Sequence, residues 1–173
     1  MIVSLAAVGL IRMSTPEFAN VDFRVNPDAN GAVETDSYTV ELLRAEAGTT
    51  VTSEHGESLT TAECFVVVTI AAMAHGGPSY PEVILHTRDG LSYHPLDVYS
   101  FPTTSGLNVG ERVEMDLMFV IPVDQLEGSE VSFDPGTAGS ISPVRPEAWF
   151  TPGLSDIAAD PILVALPRIG PAR

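Results

Sequence analysis

The stretch from Arg112 to Ile121 constrains the fold of this chain most strongly, because apolar residues occupy every second position along it. The odd positions from 113 to 121 hold Val, Met, Leu, Phe and Ile, and the opposite face begins with Arg112, Glu114 and Asp116. Successive side chains of a β-strand point to opposite sides, so the pattern predicts a strand with one face in a core and the other largely in water. Such a strand needs a second layer to cover its apolar face.

Other short segments along the chain also have strand patterns. Residues Glu63 to Ala74 are apolar on both faces and rich in β-branched side chains, which predicts a central strand. We predict further strands near 18–25, 38–43, 83–87, 91–94 and 131–133, and Arg88-Asp89-Gly90 indicates a hairpin turn. Residues 40–47 fit either a strand or a helical turn. This order of short strands predicts an all-β, immunoglobulin-like antiparallel sandwich of about seven or eight strands.

The 173 residues fit one domain with terminal appendages. We predict a truncated membrane anchor or signal-like segment at 1–15, the sandwich at 16–135, and an extension at 136–173. The chain is rich in Pro, Gly and Ser from Asp134 to Pro161, which predicts a long extended loop. A final strand is predicted near 162–166, between Pro161 and Pro167, with a frayed tail after it.

Residues 1–11 are almost wholly apolar. As a helix they would reach about 16 Å, roughly half of the ~30 Å hydrocarbon core of a bilayer. Two interpretations compete: the outer part of a truncated anchor, or an ordinary core strand or helix. We favour the anchor, since a wholly apolar terminus rarely belongs to a core. The anchor interpretation predicts contact with the membrane through this segment. It also predicts a location on the extracytoplasmic face of the cell membrane, or secretion.

The charge of the chain excludes some partners. Acidic residues outnumber basic ones by 23 to 8, giving a formal net charge of −15. Such an acidic surface repels phosphate backbones and anionic lipids, so we expect no nucleic-acid binding. Cys64 is the only cysteine and lies in an apolar run, which excludes an internal disulfide and indicates an inert buried thiol.

Four segments together resemble a known family: Cys64–Ile70, Thr87–Tyr93, Leu107–Glu111 and Phe119–Pro122. Their order is similar to that in telokin-like, immunoglobulin-like domains of secreted and membrane-anchored actinobacterial proteins. The resemblance implies a sandwich fold and an extracytoplasmic place, and it supplies no catalytic residues. The segment after Pro135 falls outside the shared pattern.

Trp149 and Phe150, set between Pro146 and Pro152, are the candidate partner-binding residues. Aromatic side chains in a proline-bounded loop can anchor a partner, because they bury a large area at low entropic cost. The same two rings would serve equally well to plug the open end of the sandwich.

A copper-type metal site is the candidate built on His86, His94 and Met73, since imidazole and thioether both suit copper. A two-residue turn at Asp89-Gly90 would put the two imidazoles on opposite faces, and a three-residue loop from Arg88 to Gly90 would put them on one face. The plainer interpretation is that these histidines are surface or hydrogen-bonding residues.

A weak calcium candidate comprises Asn26, Asp28, Asn30 and Glu34, which partly match a calcium loop. Asn26 stands where Asp is usual, and Ser37 stands where a bidentate Glu belongs. The alternative is a hydrogen-bonded Asx turn between two strands.

No nucleophile elbow, zinc-protease helix or phosphate-binding loop occurs in the sequence. We therefore expect no enzymatic activity and no cofactor. The predicted function is a non-enzymatic extracytoplasmic binding or assembly module of a membrane-associated cell-envelope complex, with membrane proteins of the envelope as partners. The alternatives are a copper-type metal carrier and, third, a small extracytoplasmic hydrolase.

Overall fold

The computed structural model describes residues 21–96, 106–136 and 144–171, and these form eleven strands and one short 3₁₀ helix, Val123–Gln125. The strands are β1 (Val21–Val25), β2 (Ala32–Glu34), β3 (Tyr38–Ser53), β4 (Ser58–Ala74), β5 (Glu82–His86), β6 (Ser92–Tyr93), β7 (Glu111–Ile121), β8 (Glu130–Asp134), β9 (Val144–Phe150), β10 (Ile162–Val164) and β11 (Arg168–Pro171). The predicted anchor at 1–15 lies outside the described residues. Within those residues, no helix has the length and apolar character that crossing a membrane requires.

The strands form two sheets. A five-stranded sheet has the order β1-β9-β8-β5-β6, and a six-stranded sheet has the order β10-β3-β4-β7-β11, with β2 also paired to β3. The β1–β9 and β10–β3 pairs are parallel and the others antiparallel. Strands β3, β4 and β7 take the places of strands A, B and E of an immunoglobulin domain, and β5, β8 and β9 those of C, F and G. The predicted immunoglobulin-like β-sandwich is therefore confirmed, and the described residues contain eleven strands where about seven or eight were predicted.

The main core lies between the inner faces of the two sheets. The largest side chains buried in it, each at most 2% exposed, are Tyr38, Phe119, Phe133 and Phe150. The rings of Tyr38 and Phe133 pack with their centroids 5.3 Å apart. The Tyr38 hydroxyl donates a 2.8 Å hydrogen bond to the carbonyl oxygen of Pro146, so it ties the six-stranded sheet to β9 of the other sheet.

The outer face of the six-stranded sheet carries a second apolar cluster, formed by Val51, Phe65, Val67, Met118, Ile162 and Val164. Phe65, Val67 and Met118 point away from the main core, because their neighbours in β4 and β7 alternate into it. The end of the β3–β4 hairpin and strand β10 cover them. The prediction that this face of β7 is largely wet is wrong at Asp116 and Met118, both of which are buried.

Gly48 allows this covering layer to approach the sheet closely. A Cβ atom at Gly48 would lie 3.0 Å from Cδ1 of Ile162, which is tighter than an ordinary van der Waals contact. Residues 40–47, for which the sequence left a helical turn open, belong to β3, with irregular register between Leu42 and Arg44. Such bulges bend a strand and increase its twist.

The carboxyl-terminal part of the chain differs from its predicted form. Within the predicted loop at 134–161, the structure places β9, which pairs with β8 and with β1. The predicted final strand is present as β10, but the tail after it forms β11 along β7. Strands β9 to β11 thus belong to the sandwich and are not an extension beside it.

Candidate functional site

Three side chains from three strands form a stacked row on the outer face of the five-stranded sheet. The guanidinium carbon of Arg24 (β1) lies 4.5 Å from the centroid of the Trp149 ring (β9), a cation–π contact. The His86 ring (β5) stacks on Trp149 at 4.6 Å between centroids and 22° between planes. We call Arg24, Trp149 and His86 the Trp149 row.

Hydrogen bonds hold both ends of the Trp149 row in place. The two ring nitrogens of His86 contact serine hydroxyls: Nδ1 is 3.1 Å from Ser92 Oγ and Nε2 is 2.9 Å from Ser132 Oγ. At the other end, the Arg24 guanidinium forms a two-point ion pair with the carboxylate of Glu130. Both groups that contact the indole are therefore already fixed in position, which favours a rigid contact surface.

Partial burial lowers the pKa of His86 below its ordinary value. The carboxylates of Glu147 and Glu130 oppose this shift, and the positive charge of Arg24 adds to it. The imidazole is consequently neutral at pH 7, so Arg24 carries the only positive charge of the row.

The structure separates the two aromatic residues that were predicted to bind a partner. Both lie in strand β9, so they point to opposite faces of the sheet. Phe150 is only 2% exposed and belongs to the main core, whereas Trp149 is partly exposed on the outer face. The partner-binding prediction for Trp149 stays a prediction, and Phe150 is placed as a core residue.

The residues of the copper-type candidate do not meet. Thr87 N donates to Leu91 O, which continues the β5–β6 pairing and leaves a three-residue loop, Arg88 to Gly90. His86 and His94 share one face, as that loop length predicts. His94 Nδ1, however, lies 3.8 Å from a Glu82 carboxylate oxygen, and Met73 lines a cleft on the other sheet. The described part of the chain holds no group of three or more His, Cys, Asp or Glu side chains that could bind a metal ion.

Two residues of the weak calcium candidate, Asp28 and Asn30, lie in an Asx turn. Oδ1 of Asp28 accepts backbone N–H groups from Asn30 at 2.8 Å and from Ala32 at 3.1 Å. These hydrogen bonds lower the pKa of Asp28. Asn26 Oδ1 accepts from Arg24 Nε at 3.4 Å, and Glu34 lines the same cleft as Met73. This is the turn that the sequence offered as the alternative.

A cleft of about 280 Å³ lies between the outer face of the six-stranded sheet and the carboxyl-terminal segment. Asp116, 4% exposed, is the buried carboxylate in its wall. It accepts hydrogen bonds from Thr69 Oγ1 at 2.6 Å and from Ala165 N at 2.7 Å, and Arg44 Nη2 lies 3.5 Å away. Arg44 also donates to the carbonyl oxygen of Leu163 at 3.1 Å.

Sequence reasoning missed this second site, although a signal for it was present. Asp116 stood on the face of β7 that was expected to be wet. Met118 and Val120, further along the same face, are apolar, and an apolar end on a polar face indicates that another part of the chain covers it.

Comparisons with known proteins support the fold. No protein-family model matches the sequence, and no curated protein matches it. Among solved structures, the yjhA protein of Bacillus subtilis is similar, with a TM-score of 0.52 and 12% identity over 72% of this chain and 98% of that one. This likeness concerns the fold alone, and the two packed sheets of the chain define its class, a β-sandwich protein.

Two further structures have lower scores. The putative lipoprotein ycdA of Bacillus subtilis has a TM-score of 0.48 and 18% identity, over 71% of this chain and 39% of that one. An uncharacterized β-sandwich protein of Clostridium difficile has a TM-score of 0.45 and 9% identity, over 75% of this chain and 95% of that one. The chain thus spans about two fifths of the length of ycdA. The telokin-like, actinobacterial resemblance stays a prediction.

Proposed function

We propose that this protein is a non-enzymatic binding or assembly module that recognises a protein partner through the Trp149 row. The observation that carries the proposal is the placement of Trp149, partly exposed on a sheet face and in contact with both Arg24 and His86. Tryptophan and arginine are the residue types most enriched at the centres of protein interfaces.

The rigidity of the row supports this proposal. A side chain that is ordered before binding loses less conformational freedom when the partner arrives. Ser92, Ser132 and Glu130 fix the two neighbours of Trp149 by hydrogen bonds. The partner then contacts the edge of a planar indole and a positively charged group in a fixed position, instead of mobile surface side chains.

The proposed setting is the extracytoplasmic face of the cell membrane, with a membrane protein of the envelope as partner. The apolar character of residues 1–11 supports it. The net charge of −15 argues against nucleic acid or an anionic lipid surface as the ligand, since both are negatively charged.

The test is affinity purification of the tagged full-length chain from its native membranes in mild detergent, followed by mass spectrometry. Wild type is compared with Trp149→Ala and with Leu163→Ala, a control exposed on the other sheet's outer face. We expect a stoichiometric partner with wild type and control, and a loss of about tenfold or more with Trp149→Ala. The melting temperatures of the three proteins should agree closely.

Equal recovery of the partner with Trp149→Ala would overturn the proposal. A large fall in the melting temperature of Trp149→Ala would assign the indole to fold stability instead. Copper in the purified wild-type sample, lost in His86→Gln, would favour the metal-carrier alternative.

A further inference from the structure

We propose that the protein binds one Cu(I) ion on the outer face of the six-stranded sheet, with Met73, His75 and Glu34 as ligands. We call these three side chains the Met73 site. They line a cleft of about 270 Å³ at the end of the sheet opposite to the β3–β4 hairpin. The inference is independent of the Trp149 row, which lies on the other sheet.

The pairing of strands β2, β3 and β4 brings these side chains together. Glu34 pairs with Thr39, and Thr39 pairs with Met73, so the three residues stand in a row across adjacent strands. The N–H of His75 donates a 2.8 Å hydrogen bond to the carbonyl oxygen of Ser37, which continues the β3–β4 pairing by one residue. His75 therefore lies on the same face as Met73, two positions before it.

Met73 places a thioether in polar surroundings. The other methionines that the structure describes, Met115 and Met118, are buried in the two apolar clusters, and Met73 belongs to neither cluster. It is partly exposed, and the polar side chains of its cleft include His75 and Arg112. Core packing therefore does not account for a methionine here, whereas a thioether sulfur is a good ligand for a soft metal ion.

Thr39 fixes the ring of His75. The Nε2 atom of His75 is 2.8 Å from Oγ1 of Thr39. When Nε2 carries the ring proton and donates it to this hydroxyl, the lone pair of Nδ1 is free to bind a metal ion. Metal-binding histidines have their second nitrogen held in this way, which sets the tautomer and orients the ring.

The charge of the cleft favours a cation. Arg112 is the positively charged side chain in its lining, and it pairs with Glu41 at 3.2 Å and with Glu114 at 3.6 Å. Its two partners together exceed its charge by one, and Glu34 adds a further negative charge. The surroundings of the site are therefore negative overall, and they attract a positive ion.

The set of ligands selects copper among the common metals. Imidazole binds copper, zinc, iron and nickel, whereas a thioether prefers Cu(I). No group of three His, Cys, Asp or Glu side chains comes together in the described residues, so a zinc site of that kind lacks its third ligand. Glu34 and His75 are exposed, so an ion can reach the site from solvent.

The test is a Cu(I) titration of the full-length chain without a histidine tag, under anaerobic reducing conditions and in competition with a chromogenic Cu(I) chelator. We expect one Cu(I) ion per chain. Met73→Leu and His75→Gln should each weaken binding by about a hundredfold, and Thr39→Val, which keeps all three ligands, by about tenfold. His94→Gln, at an exposed histidine on the other sheet, is the matched control and should bind as the wild type does.

Two further measurements separate the loss of a ligand from misfolding. The metal-free variants should melt close to the wild type, because the substituted side chains lie outside both apolar clusters. The copper X-ray absorption spectrum of the wild type should show a sulfur ligand, and Met73→Leu should lose it. Cys64 is buried and is unchanged in this variant, so it does not account for the loss.

Two results would contradict the inference. One is a Cu(I) affinity that is the same in the wild type and in Met73→Leu, whether both bind or neither does. The other is copper binding that is lost in His94→Gln and kept in His75→Gln, since this would place the ion on the other sheet.

Discussion

At the scale of single residues, the Tyr38 hydroxyl links the two sheets. Burial, with the negative charges of Asp134 and Glu147, raises the pKa of Tyr38 far above its ordinary value, so the hydroxyl remains a donor across the working pH range.

Tyr38→Phe removes the hydrogen bond from this hydroxyl to Pro146 and no other large interaction. We expect the free energy of unfolding to fall by about 1 kcal/mol in urea denaturation. Tyr80→Phe, at an exposed tyrosine, should change it little. Equal effects of the two substitutions would contradict the role of this bond.

His86 is the residue whose protonation should link pH to stability. Its pKa is lowered in the folded protein, chiefly by burial, so the unfolded chain binds a proton more readily. Stability is then unaffected above about pH 6.5, the ordinary pKa of histidine, and is lost as pH falls from there towards the lowered folded pKa.

The measurement is the urea midpoint at pH 7.5 and at pH 5.5, a range in which carboxylates with ordinary or lowered pKa values titrate little. Wild type should lose stability between the two, and His86→Gln should lose less. If the wild-type midpoint rose on acidification, or if His86→Gln showed the same loss as wild type, the assignment to His86 would be wrong.

At the scale of elements, Asp116 is the residue of β7 that holds residues 161–171, which we call the C-terminal strap. Asp116→Asn keeps the shape but replaces one acceptor oxygen by an NH2 group, so either Thr69 or Ala165 loses its acceptor. We expect a loss of about 2 kcal/mol in unfolding free energy, since a buried, charge-assisted contact is broken. Glu46→Gln, which alters the exposed partner of the same Arg44, is the matched control and should cost little.

Hydrogen exchange distinguishes a local effect of Asp116→Asn from a general one. The amides of residues 162–170 should exchange faster relative to those of β4, because the strap opens before the sandwich unfolds. An equal acceleration in both regions would show that Asp116 stabilises the sheet and not the strap.

At the scale of the whole molecule, the parts that the sequence predicted are those with a strong local pattern. Strand β7 buries one face along its length, which imposes alternation, and β4 buries both faces over part of its length, which imposes an apolar run. Strands β9 and β11 contain Pro146 and Pro171 and lack such a pattern. They are strands because distant neighbours pair with them, and residue spacing does not give that pairing.

The Trp149 row likewise depends on pairing between strands that are distant in sequence. The sequence singled out Trp149 as a large aromatic residue between prolines, and it singled out His86 for a different role. Their contact depends on the register of β9, β8 and β5, which brings residues more than sixty positions apart onto one face. Arg24 had no local feature that distinguishes it from any other surface arginine.

The two outer faces of the sandwich have opposite characters. The described chain covers the apolar centre of the six-stranded sheet with its own hairpin end and strap, whereas the centre of the five-stranded sheet carries polar residues and the Trp149 row. The two faces therefore suit different tasks. The covered face contributes to the stability of the chain through contacts within it, whereas Trp149 stays partly exposed, so under the function proposed above the partner binds to the outer face of the five-stranded sheet.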